Sequence, residues 1–454
     1  MFCFFVIIEC MSSFDTSDII YALSTPMSKG AIGVIRVSGK SCLSKIEPFF
    51  KSSIKLSKAE SNSVVYGKLA KLDNCLISVF KDGHGYTGEE SLEISCHGGL
   101  NVINSILEFL SSLGLRQAER GEFTLRAFLN GKMDLTRAEA VNELINSKSD
   151  VSAEMALNRL NGELFRKIKK MTDVVADVLS EVEFQLDYTD EDDLDSVSFD
   201  EDKILKTDAQ ICDLIKSYDV AHLYSDEVKI VICGCTNAGK SSLFNYFLKE
   251  ERSIVSAVEG TTRDYIEASC TISDIPVRIF DTAGLRETSD DIEKEGVRRS
   301  RLLINNADVI LYLLAAEDAV SDSELLNDKR TILIKTKSDL KKKYNLTYEG
   351  ICFSTVTGEG FGDLCKAIRE KVSGFSQSFN PDDRLFIQSS RQKVNLINAH
   401  ENLMCAVDGF RKGLGYDLLA LDLREALDNL GEITGAVTSD DILDKIFSEF
   451  CVGK

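Results

Sequence analysis

The sequence predicts a multidomain protein: an α+β N-terminal domain, then an α-helical domain split by an inserted α/β P-loop module. Three observations carry this reading. β-Branched strands alternate with helical segments between about residues 228 and 372, a complete phosphate-loop motif joins the first such strand to the first such helix, and amphipathic helical periodicity lies on both sides. A chain of 454 residues is too long for one hydrophobic core, and at roughly 150 residues per domain about three units are expected.

In chain order, the expected boundaries are residues 1–130, 131–224, 225–376 and 377–454. From Ile19 to Phe128, short β-type runs (AIGVIRVSG, SVVYGKLA, SLEISCHGG) surround one helix-period segment, Leu100 to Leu113. From Leu135 to about Leu223, apolar residues recur at spacings of three and four (Ala138, Val141, Leu144, Ile145, then Leu157, Leu160, Leu164, Ile168), as on amphipathic helices. The acidic run Asp187 to Asp195 reads as a solvated loop. Four strands follow (VKIVICG, PVRIFDTAG, DVILYLLAA, RTILIKTKSD), in the pattern of βαβ units around a parallel sheet, and helical periodicity resumes from Arg391 to Phe450.

Composition narrows the function classes. Hydrophobic residues make up 44% and charged residues 28%, the balance of an ordinary soluble globular chain. A net charge of -20 argues against coating nucleic acid through a general basic field, so any such contact must be local. Thirteen cysteines, an odd number with no C-x-x-C pair, fit neither a disulfide framework nor a zinc ribbon and point to a reducing compartment. The apolar opening, Met1 to Cys10, has no basic flank and no small-residue cleavage site, and it is too short to span a bilayer; Met11 is the expected translation start. No membrane association is expected, and the absence of an Arg-rich leader points to a bacterial cytoplasm.

Gly234 to Ser241 reads GCTNAGKS, a complete G-x-x-x-x-G-K-S/T loop between the strand VKIVIC and the helix SSLFNYFL. Loop amides and the helix N-terminus are expected to cradle phosphates, with Lys240 on the β- and γ-phosphates and the Ser241 hydroxyl on magnesium. GTTRD (Gly260 to Asp264) offers Thr262 as a second hydroxyl for magnesium. DTAG (Asp281 to Gly284) offers Asp281 to the magnesium water shell and the Gly284 amide to the γ-phosphate. TKSD (Thr336 to Asp339) ends a strand. The Asp339 carboxylate can accept from the ring N–H and exocyclic amine of guanine, whereas adenine would leave it unpaired, so GTP is expected over ATP.

Two departures from the usual GTPase pattern stand out. Thr336 occupies the position of the asparagine that normally braces the base and the P-loop, which puts nucleotide affinity, though not base choice, in question. Leu285 follows DTAG where Ras-type enzymes carry a water-orienting glutamine, so the attacking water must be positioned by another group, for which an acidic residue in ETSDDIEKEG is the natural candidate. Ser354 to Val356 (STV) is a weaker match to the last guanine-contacting loop.

With these motifs in place, the chain from about Ile20 to its last residue resembles the tRNA-modification GTPase family called MnmE or TrmE. The most specific matches lie outside the GTPase motifs: GAIGVIRVSG, YTGEESLEISCHGG, GEFTLRAFLNGKMDLTRAEA, and the terminal LGEITGAVTSDDILDKIFSEFCVGK with its Cys-x-Gly-Lys ending. The resemblance implies a homodimer with an N-terminal tetrahydrofolate-binding and dimerisation domain. This works with the flavoprotein MnmG in a heterotetramer to install an aminomethyl or carboxymethylaminomethyl group at carbon 5 of the tRNA wobble uridine. The one-carbon unit would come from 5-formyl- or methylene-tetrahydrofolate, with FAD and NADH on the partner.

By matching positions, the resemblance implies folate contacts at Arg36, Glu93 and Lys132, with Lys454 nearby. A carboxylate such as Glu93 suits the donor edge of a pterin, and Arg36 and Lys132 suit the ligand's carboxylates. It implies a potassium ion in place of an arginine finger, held by Asn237, Ser256, Val258 and Thr261, and Glu293 as the water-orienting carboxylate. The surroundings of GTP then comprise Asn237, Ala238, Gly239, Lys240, Ser241 and Ser242; Ser256, Ala257, Val258, Glu259, Gly260, Thr261 and Thr262; Asp281, Thr282, Ala283 and Gly284; Thr336, Lys337, Ser338 and Asp339; and Ser354, Thr355 and Val356. Cys451 is open to two readings, an ordinary terminal thiol or a reactive group near the folate site. His84 and His97 read as loop or structural histidines. Two other readings share the four G motifs: a ribosome-assembly or RNA-binding GTPase, which the acidic balance disfavours, and a regulatory switch without intrinsic turnover.

Overall fold

The computed structural model describes residues 16–187, 199–235, 237–250, 266–281, 301–315, 323–340, 349–373 and 385–454. Met1 to Cys10, Met11 and all of the acidic run beyond Asp187 lie outside the described residues. The chain divides into two compact units, one of Met1–Ile145, Arg159–Cys212 and Val394–Lys454, the other of Asn146–Asn158 and Asp213–Lys393. No helix among the described residues is long and apolar enough to cross a membrane.

The first unit contains a seven-stranded sheet of β1 (Ile20–Leu23), β2 (Ile32–Ser38), β3 (Phe50–Ser52), β4 (Ser63–Leu69), β5 (Asp73–Phe80), β6 (Ser91–His97) and β7 (Arg116–Gln117), in the order β3-β4-β5-β6-β2-β1-β7. All neighbours are antiparallel except β1 and β7. Strict alternation orders β4: Val65, Gly67 and Leu69 point inward while Val64, Tyr66 and Lys68 face water. The helix Leu100–Ser112 closes the inner face with Ile103, Ile106 and Leu110, three and four residues apart. β5 alternates in the same way, with Cys75, Ile77 and Val79 buried.

The same unit holds the helical layer. The helix Glu163–Asp187 lies along the helix Tyr416–Thr434. The first buries Ile168, Met171, Val175, Val178 and Val182, the second Leu419, Leu423, Ala426, Leu430 and Ile433. Each stripe repeats at three and four, so neither helix can cover its apolar face alone and each supplies the other's partner. The two segments lie on either side of the P-loop module in sequence, as the split helical domain requires.

The second unit contains a six-stranded sheet of β8 (Val228–Gly234), β9 (Ile266–Ile272), β10 (Ile275–Asp281), β11 (Val309–Ala315), β12 (Thr331–Thr336) and β13 (Ile351–Phe353), in the order β13-β12-β11-β8-β10-β9. Its pairs are parallel except for β9, an antiparallel edge strand the repeating βα pattern did not indicate. Alternate residues of one strand enter opposite cores: Ile230, Ile232, Leu311 and Leu313 on one face, Val231, Cys233, Ile310, Tyr312 and Leu314 on the other. Burial on both faces explains why these strands read as continuous apolar runs.

One buried cation ties the start of the first unit together. Arg126, on the helix Glu122–Leu129, is fully buried; its guanidinium pairs with Asp18 at 2.5 Å, Glu122 at 3.0 Å and Glu89 at 3.5 Å, and donates to the Asp18 carbonyl at 2.9 Å. Burial pushes the carboxyls of Asp18 and Glu122 up, but hydrogen bonds from Arg116 and Arg126 outweigh it and hold both below their ordinary values. Carboxyls so depressed lend stability above their unfolded values near pH 4, and that stability is lost as pH falls through the lower, folded values. Arg126→Met removes a buried charge from three carboxylates and should cost about 3 kcal/mol. Urea unfolding followed by far-UV circular dichroism, suited to a chain with no tryptophan, should show this loss at neutral pH and a smaller one at acid pH, where protonated carboxyls no longer pair with Arg126. An unchanged midpoint at neutral pH, or an equal loss at neutral and acid pH, would contradict it.

Candidate functional site

The nucleotide motifs meet at the carboxyl ends of the parallel strands. β8 ends at Gly234, whose φ of +137° favours glycine and where a Cβ would lie 2.2 Å from the Leu313 carbonyl oxygen. Asn237 and Gly239 continue the loop with φ of +61° and +93°. Ala238 is buried between them, and the helix Lys240–Glu250 begins where the motif predicts. The Lys240 ammonium, itself buried, donates to the carbonyls of Gly234 at 2.9 Å and Cys235 at 2.7 Å, so it lies inside the loop whose phosphate it is expected to meet. Ser241 and Ser242 are exposed on the first turn.

Asp281, at the end of β10, is only 1% exposed, and its Oδ2 accepts a hydrogen bond from Ser241 Oγ at 2.7 Å. A hydroxyl and a carboxylate brought together beside a phosphate loop form an oxygen donor set of the kind magnesium takes. Thr282, Ala283, Gly284, Leu285 and Glu293 lie outside the described residues, as do Ser256, Ala257, Val258, Glu259, Gly260, Thr261 and Thr262. Of the four expected potassium ligands, Asn237 alone is therefore described.

The guanine end is built by β12 and β13. Thr336, buried at the last position of β12, donates through Oγ1 to the Ala238 carbonyl at 2.7 Å. A threonine hydroxyl thus reaches the P-loop from the position where GTPases usually carry asparagine. Lys337 is exposed with φ of +60° and turns the chain, so that Ser338 and Asp339 sit half-buried beyond it. Ser354, fully buried after β13, donates from Oγ to Asp339 Oδ1 at 2.7 Å and accepts from the Val356 and Thr357 amides at 3.2 and 3.3 Å. The STV segment therefore holds the Asp339 carboxylate in place. Thr355 is half-buried, and the Val356 side chain is exposed.

A second cluster forms in the first unit. In the β2–β6 register Arg36 stands opposite Glu93, and Arg36 Nε and Nη2 donate to Glu93 Oε1 at 3.0 and 2.8 Å. The Arg36 guanidinium lies 5.0 Å from the ring centroid of Tyr86 and 5.6 Å from that of Phe123. Its Nη1 is buried with no hydrogen-bond partner among the described residues. The chain's last residues return to this place. Arg120 forms an antiparallel bridge with Val452, and Ser24 Oγ donates to the Gly453 carbonyl at 3.4 Å.

Gly453 has φ of +95°, and a Cβ there would meet the Leu23 carbonyl oxygen at 2.6 Å, which explains a glycine in the terminal motif. Burial and the adjacent Arg36 guanidinium pull the Lys454 ammonium below its ordinary pKa, against a smaller opposing pull from Glu93. Two cations therefore converge, one of them with an unpartnered buried donor, an arrangement suited to an anionic ligand.

Lys132 is placed differently from the other expected folate residues: its Nζ donates to the Gly83 carbonyl at 2.9 Å, on the loop that carries Tyr86. Cys451 is exposed, and its carbonyl accepts from the Gly121 amide at 3.5 Å. His97 pairs with Asp73 at 2.8 Å, and His84 lies in a turn, its amide donating to the Lys81 carbonyl at 3.0 Å. Tyr86 and Phe123 were not singled out from the sequence as parts of this site. Tyr86 opens the YTGEES segment and Phe123 lies in GEFTLRAF, and an aromatic at either place reads as core unless the strand register is known.

The sequence pattern of the GTP-binding protein TrmE N-terminus matches residues 19–132, and that of the MnmE helical domain matches residues 135–451. The tRNA modification GTPase MnmE of Treponema denticola is 39% identical to this chain, over 98% of this chain and 100% of that protein. The chain belongs to the MnmE family of tRNA modification GTPases. Its counterpart in Borrelia recurrentis is 39% identical over 97% of this chain and 99% of that protein, and that in Aquifex aeolicus 39% over 96% and 99%. As a member of the MnmE family, the chain is a GTPase that acts in tRNA modification.

Ser354 is fully buried, and its hydroxyl fixes one oxygen of the Asp339 carboxylate. Ser354→Ala should lower GTP affinity about tenfold, the worth of one hydrogen bond to a charged group. Titration with a fluorescent GTP analogue measures this, and unchanged affinity would show that the carboxylate is fixed by other means.

Proposed function

We propose that the chain is a potassium-activated GTP hydrolase that, with the flavoprotein MnmG, installs an aminomethyl or carboxymethylaminomethyl group at carbon 5 of the tRNA wobble uridine. The observation that carries this reading beyond the family assignment is the convergence of Arg36, Glu93 and Lys454, the last delivered by the chain terminus. Reduced folates carry carboxylates and a pterin with a donor edge, and Arg36 Nη1 is a buried donor in need of an acceptor. A bound 5-formyl- or methylene-tetrahydrofolate would supply the one-carbon unit. Arg36 and Lys454 would take its anionic end. Glu93 would face the pterin with Oε2, since both Arg36 bonds end on Oε1. Lys132, on the Gly83 loop, would extend the site's positive rim.

In the P-loop module, Ser241 and Thr262 would ligate magnesium directly and Asp281 would act through its water shell. Asn237, Ser256, Val258 and Thr261 would hold potassium, which would neutralise transition-state charge in place of an arginine finger. Glu293 would orient the attacking water that Leu285 cannot. Lys240 would move from its loop carbonyls to the phosphates. Two copies would meet through their N-terminal domains. GTP hydrolysis would drive the conformational cycle and take no part in the transfer chemistry on the base.

Deleting Cys451 to Lys454 tests the reading, because it removes the terminal ammonium and the strap without touching the P-loop. The truncated chain, reconstituted with the flavoprotein, a reduced folate, GTP and unmodified tRNA, should lose wobble modification while its GTP turnover stays within about twofold of the full chain. Undiminished modification by the truncated chain would overturn the folate assignment.

A further inference from the structure

Away from both clusters, Asp208 and Cys212 on the helix Glu201–Ser225 face His400 on the helix Ser390–Arg411. Their spacing of four puts Asp208 and Cys212 on one helical face. His400 Nδ1 lies 2.5 Å from Asp208 Oδ1 and 3.6 Å from Cys212 Sγ, and Sγ lies 3.9 Å from Asp208 Oδ2.

These residue types could suggest a nucleophilic triad, but the geometry argues against it. A triad needs the thiol on one ring nitrogen and the carboxylate on the other, so that a proton is taken at one and the ring oriented at the other. Here the same nitrogen, Nδ1, faces both groups. The arrangement instead brings a thiol sulfur, an imidazole nitrogen and a carboxylate oxygen within 4.8 Å of one another, around a common point.

A tetrahedral zinc ion bound at about 2.3 Å to sulfur and about 2.0 Å to nitrogen and oxygen separates its ligand atoms by roughly 3.3 to 3.5 Å. The observed separations of 3.6 and 3.9 Å from sulfur fall close to this. The nitrogen–oxygen pair would open by less than about 1 Å, within the reach of one carboxylate rotation. Asp208 is buried, while Cys212 and His400 remain half-exposed, which leaves a path for an ion and a fourth position for water. Magnesium and potassium prefer oxygen alone, whereas a thiolate with an imidazole selects zinc-class ions.

We propose that Asp208, Cys212 and His400 form a site for a divalent zinc-class ion that clamps these two helices. Binding replaces the Nδ1–Oδ1 contact with three metal bonds, and the Cys212 thiol releases its proton to solvent. The site shares no residue with the nucleotide loops or the terminal strap and stands apart from the function proposed above.

The test uses the full chain stripped with a chelator and titrated with cobalt(II), whose bonds to thiolate give a near-ultraviolet charge-transfer band. One equivalent should bind with that band, zinc should displace it, and zinc should raise the melting temperature of the stripped chain. Cys212→Ser and His400→Gln should each abolish the one-equivalent band, while their metal-free circular dichroism matches the stripped wild type and zinc no longer raises their melting temperature. No thiolate band in the wild type, or a band that survives either substitution, would overturn the proposal, because binding would then be absent or would lie at another of the cysteines. If either variant is unfolded, Asp208→Asn should weaken cobalt binding at least tenfold, and unchanged affinity there would overturn the proposal equally.

Discussion

The nucleotide site depends on strands that run in one direction. Because β8, β10, β12 and β13 share a direction, their carboxyl ends open onto one edge, and every motif that follows a strand is delivered there. The register makes the alignment specific: Asp281 stands beside Ile232 two residues before the P-loop begins, and Thr336 stands beside both Ala315 and Phe353. Three bonds then join motifs distant in sequence, Ser241 to Asp281, Thr336 to Ala238 and Ser354 to Asp339. A buried ammonium and a buried carboxylate are tolerated at this edge because each has partners there.

The other cluster rests on a different constraint, the return of the chain's end to its beginning. The helix Asp440–Ser448 and Phe450 pack Leu443, Phe447 and Phe450 against Leu125, Leu135, Ala138 and Val141, and this fixes where the last four residues can go. Gly121 and Gly453 allow the close approach, with a Cβ at Gly121 falling 2.7 Å from the Phe447 carbonyl oxygen. The ammonium of Lys454 therefore arrives beside Arg36 through packing more than through charge, since two cations repel. Burial first, and that repulsion second, hold the Lys454 ammonium below its ordinary pKa, and an anionic ligand would favour its charged form.

The features legible in the sequence were the local ones. The phosphate loop, the strand ends carrying Asp281 and Asp339, and the helices read from periods of three and four need only neighbours in the chain to be recognised. Long-range pairing was not legible. That Arg36 faces Glu93 follows from the β2–β6 register, and that Ser354 serves Asp339 follows from β13 lying next to β12. Thr336 reads as a lost amide because the sequence shows residue type and not distance; with its Oγ1 2.7 Å from the Ala238 carbonyl oxygen, a hydroxyl suffices for the link to the P-loop. Lys132 matched by position, yet its side chain is engaged by the Gly83 carbonyl, a contact set by the loop's path. The short strands β1 and β7 carry too few residues for any period to show.

This strand edge is proposed to select guanine and to hydrolyse GTP with a monovalent cation in place of an arginine finger. The most direct measurement is the steady-state hydrolysis rate of the purified full chain with GTP and with ATP, each in potassium and in sodium buffer. The account predicts turnover of GTP that rises at least about tenfold in potassium, and no turnover of ATP in either buffer. Equal hydrolysis of ATP would contradict the role given to Asp339, and GTP turnover indifferent to potassium would contradict the cation site.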